Sequence, residues 1–290
     1  MKKKGFNTDV IQPHRAFSMT GRPPDLPDFS RPPVVETVLS VQFDRLTAAR
    51  SAHFGLYWKE VLNRFPKTEE RAELQPAIER QPDLPPSAVG IQFEALEAPP
   101  TPRFWFANEG GTELIQLQRD RFIKNWRKVG EGDEYPRYEH VREGFERDFS
   151  DFRNFVSSHD LGAIRITQCE VSYINHIVAG EGWKTHADIG KVFTVWQQPT
   201  VAFPGVAQDV TFRARFPILD SGGAFAGRLH ATMQSVVRLT DGVPMFVLDL
   251  TARGQVGEGT DFFDLGREWI VRSFKELTTP EMHQVWGIRS

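Results

Sequence analysis

Hydrophobic residues recur along this chain at two spacings, and the order in which those spacings alternate predicts one succession of elements twice over. Over residues 34–43, Val35, Leu39, Val41 and Phe43 share one side at period two while Glu36, Ser40 and Gln42 share the other, as in a strand with one wet face. Phe54, Tyr57, Trp58, Val61, Leu62 and Phe65 then repeat at helical spacing, with Thr47 as a candidate cap and Pro66 as the stop. The charged, proline-bearing residues 67–86 read as a loop and residues 89–96 as a second strand. Residues 104–108 and 112–117 flank Gly110 and Gly111, a pair suited to a tight hairpin. Tyr138, Val141, Phe145, Phe149, Phe152 and Val156 form the apolar stripe of a helix of about five turns.

Residues 163–287 repeat this order. A strand over 164–178 is followed by a helix over 187–197 that turns Ile189, Val192, Phe193 and Trp196 inward. Three strands over 210–219, 228–239 and 245–253 are separated by Gly222 with Gly223 and by Asp241 with Gly242, the turn pairs of an antiparallel meander. The last long helix carries Asp261 and Asp264 in its first turn and an apolar stripe of Phe262, Leu265, Trp269, Ile270, Phe274 and Leu277. Thr279 and Pro280 restart a short helix that ends at Gly287.

The expected fold is therefore α+β: two pseudo-repeats of strand, helix, three antiparallel strands and helix, with the helices packed on antiparallel sheet. The domain reading is a mobile proline-rich arm over residues 1–33, a first repeat over 34–162 and a second over 163–290. A duplicated fold of this kind puts a cleft between its copies. The arm assignment rests on Pro23, Pro24, Pro27, Pro32 and Pro33, set among short polar stretches with little surface to bury. The run Lys2 to Lys4 neutralises few phosphates, and a net charge of −3 supplies no bulk attraction to nucleic acid or an anionic membrane. There is no apolar run of membrane-spanning length and no apolar signal core near the start, so the expected location is cytoplasmic, with neither nucleic acid nor membrane as partner.

Several phrases in the chain resemble one family. They are Pro33-Val34-Val35-Glu36 through Phe43, Leu114 through Arg127, Tyr135-Pro136-Arg137-Tyr138, Cys169 through Ile177, Asp264-Leu265-Gly266-Arg267-Glu268-Trp269 and Leu277 through His283. Together they resemble a bacterial family described only as a sporadically distributed protein of unknown function. The resemblance spans nearly everything after the arm and implies no activity; patchy distribution suggests accessory loci such as defence or toxin-antitoxin cassettes. At the level of topology alone, the chain is similar to duplicated strand-helix-strand-strand modules that bind drug-like ligands between repeats.

Candidate chemistry sits where the strand pattern breaks. Residues 113–127 begin as a clean strand and then crowd Gln116, Gln118, Arg119, Asp120, Arg121, Asn125, Trp126 and Arg127 around Phe122 and Ile123. If Arg119 and Asp120 make a turn, the segment is a hairpin; if it stays one strand, Gln116, Gln118, Asp120 and Lys124 share a face with Trp126. Either arrangement puts guanidinium groups near an aromatic plane, suited to an anionic or planar ligand or to a protein partner, and an ion-pair network at a sheet end is the structural alternative. Glu170 lies in the middle of an expected central strand, where a carboxylate needs a partner, and an arginine of 119–127 is the candidate. The ligand-binding set is accordingly Gln118, Arg119, Asp120, Arg121, Asn125, Trp126, Arg127, Glu170 and Tyr173.

Catalytic and metal signatures are missing. No GxSxG is present, the single cysteine Cys169 has no evident histidine partner, and the eight histidines show no HxxxH or HxH spacing. Residues 178–185 stand where a phosphate loop would, but Val178 replaces its first glycine and Trp183 blocks the backbone. No catalytic residue, metal or cofactor is therefore expected. The leading expectation is a non-catalytic binding protein with a small-molecule or peptide site between two repeats. The alternatives are a protein-interaction component of an accessory cassette, and a hydrolase with an unrecognised site.

Overall fold

The computed structural model describes residues 23–79, 102–197, 205–255 and 261–289. Its centre is a nine-stranded antiparallel sheet built from β2 (Val34–Phe43), β3 (Lys67–Arg71), β4 (Arg103–Ala107), β5 (Glu113–Gln118), β6 (Arg121–Arg127), β7 (Ile166–Val178), β8 (Thr211–Leu219), β9 (Phe225–Val237) and β10 (Pro244–Gly254). The spatial order is β3-β4-β5-β6-β2-β7-β10-β9-β8, so the central pair is β2 with β7. The main helices are α1 (Ser51–Val61), α2 (Tyr138–Ser158) and α4 (Phe262–Leu277). An α+β architecture with helices on an antiparallel sheet follows directly. A small second sheet pairs β1 (Asp28–Phe29) with β11 (Ile288–Arg289).

Alternation sorts the strand residues into two faces. One carries Leu39, Val41 and Phe43 of β2, Phe122 of β6, Val171 of β7 and Leu248, Leu250 and Ala252 of β10, all buried in the main core. On it, Phe122 lies 5.3 to 5.8 Å from the rings of Phe145, Phe149 and Phe152 of α2. The apolar stripe read from sequence thus buries the whole length of α2.

Helix α4 reaches the sheet through a gap made by two glycines. Gly254 and Gly227 are cross-strand partners, and a Cβ on Gly254 would overlap the Phe262 ring and the Ala226 carbonyl oxygen. Phe262, the first residue of α4, is held there by the N-cap Asp261, whose carboxylate accepts from the Phe263 amide at 2.9 Å. Gly254→Ala is expected to cost about 3 kcal/mol through overpacking, read as a fall in the denaturation midpoint with unchanged slope.

One buried charge cluster ties β6 to α2. Lys124 points into the helix side, where its ammonium meets Asp148 and Glu113, both at 2.6 Å, and lies 4.6 Å from the centre of the Phe65 ring. Asp148, with a fully buried side chain, is also bonded by Arg64 and by Arg147. Burial works against its charge, but Lys124 and then the two arginines hold the carboxyl below its ordinary value of 3.8.

Three sequence expectations meet a different outcome. The mobile arm was placed through residue 33, yet residues 23–33 are docked: Leu26 and Phe29 are buried, and Phe29 lies 5.4 Å from Phe274 in an edge-on contact. Two apolar side chains and a strand pairing suffice to order this short stretch; residues 1–22 lie outside the described residues. Residues 67–71, read as loop, form the edge strand β3, which has no hydrophobic alternation because all five residues are exposed and charged or polar. The helix expected over 187–197 shrinks to a 3-10 turn (His186–Asp188) and one turn, α3 (Ile189–Val192). Phe193 instead bridges to Thr278 past the end of α4, and Thr194 donates to the Leu277 carbonyl, so tertiary pairing overrides the local period. The strand expected over 89–96 falls outside the described residues. The short α5 (Pro280–Val285), capped by Thr279, matches its expectation.

Candidate functional site

The face of the sheet away from α2 and α4 is polar across its width. One row of directly opposed residues runs Gln118 (β5), Arg121 (β6), Gln42 (β2) and Gln168 (β7). The next runs Trp105, Gln116, Ile123, Ser40, Glu170, Arg253 and Arg228, from β4 to β9. Polar side chains in the middle of a sheet need partners, and here the chain itself supplies them.

Residues 72–79 leave the end of β3 and cross this face over β5, β6, β2 and β7. Gln118 pairs with Leu74 in both directions, accepting from its amide and donating to its carbonyl, each at 3.0 Å. Gln42 accepts from the Ala77 amide at 3.3 Å, and Arg121 donates to the Gln75 carbonyl at 3.2 Å. Gln168 accepts from the Glu79 amide at 3.0 Å and donates to the Ala77 carbonyl at 2.5 Å. A primary amide offers one acceptor and two donors, which matches the N–H and C=O of an extended chain whatever side chains that chain bears.

The crossing ends on a carboxylate. Glu79, buried, is held by Arg228 at 2.6 Å, by His230 at 2.5 Å and by Arg253 at 3.2 Å. Burial alone would raise its pKa; the hydrogen bonds from His230 and Arg228, with the charges of His230 and Arg253, instead hold it at about 2. Five extended residue steps cover about 17 Å, whereas β5 to β9 spans about 24 Å, so the long side chains of β9 and β10 close the last gap.

The residues singled out from sequence divide between both faces and the turn. Arg119 and Asp120 form the turn of a β5–β6 hairpin, so the hairpin alternative holds; Asp120 accepts from Gln118 at 2.7 Å and Arg119 stays at the periphery. Gln118, Arg121, Asn125, Arg127 and Glu170 all lie on the polar face, spread along it from the Gln118–Arg121 pair to the Glu36–Arg127 pair. Asn125 bridges Gln116 and Glu36, at 2.7 and 2.6 Å, and burial raises the Glu36 carboxyl against that hydrogen bond. Trp126 and Tyr173 point the other way, into the helix side, where both meet Tyr135. The arginine-aromatic combination does form, but around Trp105, whose ring centre lies 4.9 Å from Arg71, 5.5 Å from Arg103 and 5.6 Å from Arg127. Glu170 is paired by its cross-strand neighbour Arg253 at 2.6 Å rather than by an arginine of 119–127, because cross-strand opposition brings that guanidinium closer.

Sequence reading missed Gln42, Gln168, Arg228, His230, Arg253 and Glu79 as members of the site. A signal existed for some: Gln42, Gln118 and Gln168 are long amides at strand positions, and Arg228 and His230 share a face at period two. Five side chains of the β4–β6 part of this face, Arg103, Trp105, Gln116, Arg121 and Arg127, each keep a buried polar atom with no hydrogen-bond partner. Cys169 lies buried on the helix side, where burial pushes its thiol pKa up, away from any nucleophilic role. Among the described residues no three His, Cys, Asp or Glu side chains are grouped as a metal would need, and no helix is long and apolar enough to cross a membrane. No protein-family model, curated protein or solved structure matches the chain.

Proposed function

We propose that this is a non-catalytic binding protein whose polar sheet face takes an extended acidic peptide, with residues 72–79 as an internal occupant of that site. The observation that carries the reading is the two-way pairing of Gln118 with Leu74, together with the split pairing of Gln168 to Ala77 and Glu79. Contacts made to main chain alone accept any extended sequence. Direction and register then come from a carboxylate in the grip of Arg228, His230 and Arg253.

The proposed site straddles the two halves of the chain. We infer that residues 34–162 and 163–290 are pseudo-repeats: outward from the central pair, β2, β6, β5, β4 correspond in order to β7, β10, β9, β8. Gln42 and Gln168 then occupy equivalent first strands, side by side at the junction. An extended acidic segment of another protein is the natural source of such a peptide, which joins the interaction reading to the binding one.

The test uses the full chain carrying Glu79→Gln and a labelled, amide-capped octapeptide with the sequence of residues 72–79. Fluorescence anisotropy is expected to show the peptide binding the variant at least about tenfold more tightly than wild type, since the wild-type segment competes. Adding Arg228→Met, or ending the peptide in Gln, should remove about tenfold or more. A peptide that fails to bind Glu79→Gln, in a protein whose own segment exchanges its amides freely, would refute the proposal and leave the crossing as architecture.

A further inference from the structure

The arginines around Trp105 are not balanced by acids. Arg71 of β3 and Arg103 of β4 are directly opposed across the strand pair, and both lean on the Trp105 ring, 4.9 and 5.5 Å from its centre. Like charges in directly opposed positions repel. Glu69 answers one of them, bonding Arg71 at 2.8 Å. Arg103 makes no hydrogen bond or ion pair among the described residues. Burial, then the charges of Arg121 and Arg71, lower its pKa, and no carboxylate offsets them.

The other acids of this part of the face are engaged elsewhere. Glu36 accepts from Asn125 and Asp120 from Gln118, while Glu73 lies 3.5 Å from Arg45 and Glu109 lies 3.4 Å from Lys67. Arg71 is 48% exposed and Arg103 is partly exposed, so both guanidinium groups reach solvent. A guanidinium that rests on an aromatic ring keeps its in-plane N–H groups for a second partner. Two such forks side by side match the three acceptor oxygens and nearly double charge of a phosphoryl group better than the two oxygens and single charge of a carboxylate.

We propose that Arg71 and Arg103, held on the Trp105 ring, bind the dianionic phosphoryl group of a phosphate monoester. Arg127, 5.6 Å from the centre of the same ring, adds to the positive field. The bound group relieves the repulsion between the opposed arginines and draws Arg71 away from Glu69, whose side chain is 53% exposed and turns to water. A small phosphorylated molecule and a phosphorylated protein side chain present the same chemistry here. The site stands at the β3–β4 end of the sheet, away from the grip on Glu79 at β9 and β10, and does not depend on the peptide reading.

Glycerol 1-phosphate and N-acetyl-phosphoserine amide stand for the two sources, with acetate as the monoanion, each titrated into the full chain at fixed ionic strength up to about 10 mM by calorimetry and phosphorus NMR. Saturable binding of at least one ester is expected, at least about tenfold tighter than acetate. The tighter ester identifies the source, and equal affinities mean that the phosphoryl group alone is read. Arg103→Met should weaken binding about tenfold or more. In phosphate-free buffer that variant should melt within about 3 °C of wild type, since relief of repulsion offsets the lost ring contact. Glu69→Gln, which removes the competing carboxylate, should tighten binding several-fold. No saturation by either ester, equal binding of acetate, unchanged affinity in either variant, or a larger fall in the melting temperature of Arg103→Met would overturn the proposal, the last by making the cluster a structural support.

Discussion

Asp148→Asn is expected to lower the stability of the protein by about 3 to 5 kcal/mol, because it leaves the buried Lys124 ammonium without its best counter-ion. Lys124 has only 4% of its side chain exposed, and its remaining partner, Glu113, is 36% exposed, so the loss is poorly compensated. Arg64 and Arg147, which also bond Asp148, reach solvent and can rehydrate. The double variant Lys124→Met with Asp148→Leu should recover most of the loss, since an apolar pair of similar volume needs no counter-ion. Urea denaturation of Lys124→Met, Asp148→Leu and the double variant closes that cycle. Additive single effects would mean that the two groups do not act as a pair. The sign of the pH dependence follows from the depressed Asp148 pKa. Its contribution is fully present above the unfolded value of 3.8 and is lost as pH falls through the lower folded value, a dependence that Asp148→Asn should remove.

The second large effect is local. Glu79→Gln is expected to release residues 72–79 while the sheet stays folded, because the carboxylate is the anchor of the crossing and its loss leaves Arg228 and Arg253 facing a neutral amide. Truncating one partner of a buried charge pair costs about 2 to 5 kcal/mol. The amides of Leu74, Ala77 and Glu79 should therefore exchange roughly thirtyfold faster or more, measured by hydrogen exchange, with little change in global melting. Unchanged exchange would show that the glutamine pairs alone hold the segment. Since Glu79 is held at about 2 against an ordinary value of 4.5, docking is fully supported above pH 4.5 and weakens as pH falls toward 2. The acid-labile part of segment protection should be missing from the variant.

Both results would bear on how the chain divides its polarity. Glu170, Gln118, Arg121 and Asn125 drew attention as residues too polar for their strands, and each does meet a partner. For Gln118 that partner is largely main chain from a distant segment; for Arg121 it is the Gln42 side chain and the Gln75 carbonyl; for Glu170 it is Arg253; for Asn125 it is Glu36 and Gln116. The need for a partner was legible, because an unpaired amide or charge in a sheet costs too much to persist. Its identity was not, because residues 72–79 carry no periodic pattern and lie 35 to 91 positions from the glutamines they meet.

What the amino-acid order determined alone was the alternation along β2, β7, β8, β9 and β10, the stripes of α2 and α4, the β4–β5 hairpin and the caps at Asp261 and Thr279, all set by residues a few positions apart. The tertiary structure decided which face each odd residue reached: it sent Trp126 and Tyr173 to the helix side, put Trp105 among the arginines, turned residues 187–197 away from a helix and seated Phe29 in the core. Those outcomes depend on register between strands far apart in the chain, and a shift of one residue would have reversed each face.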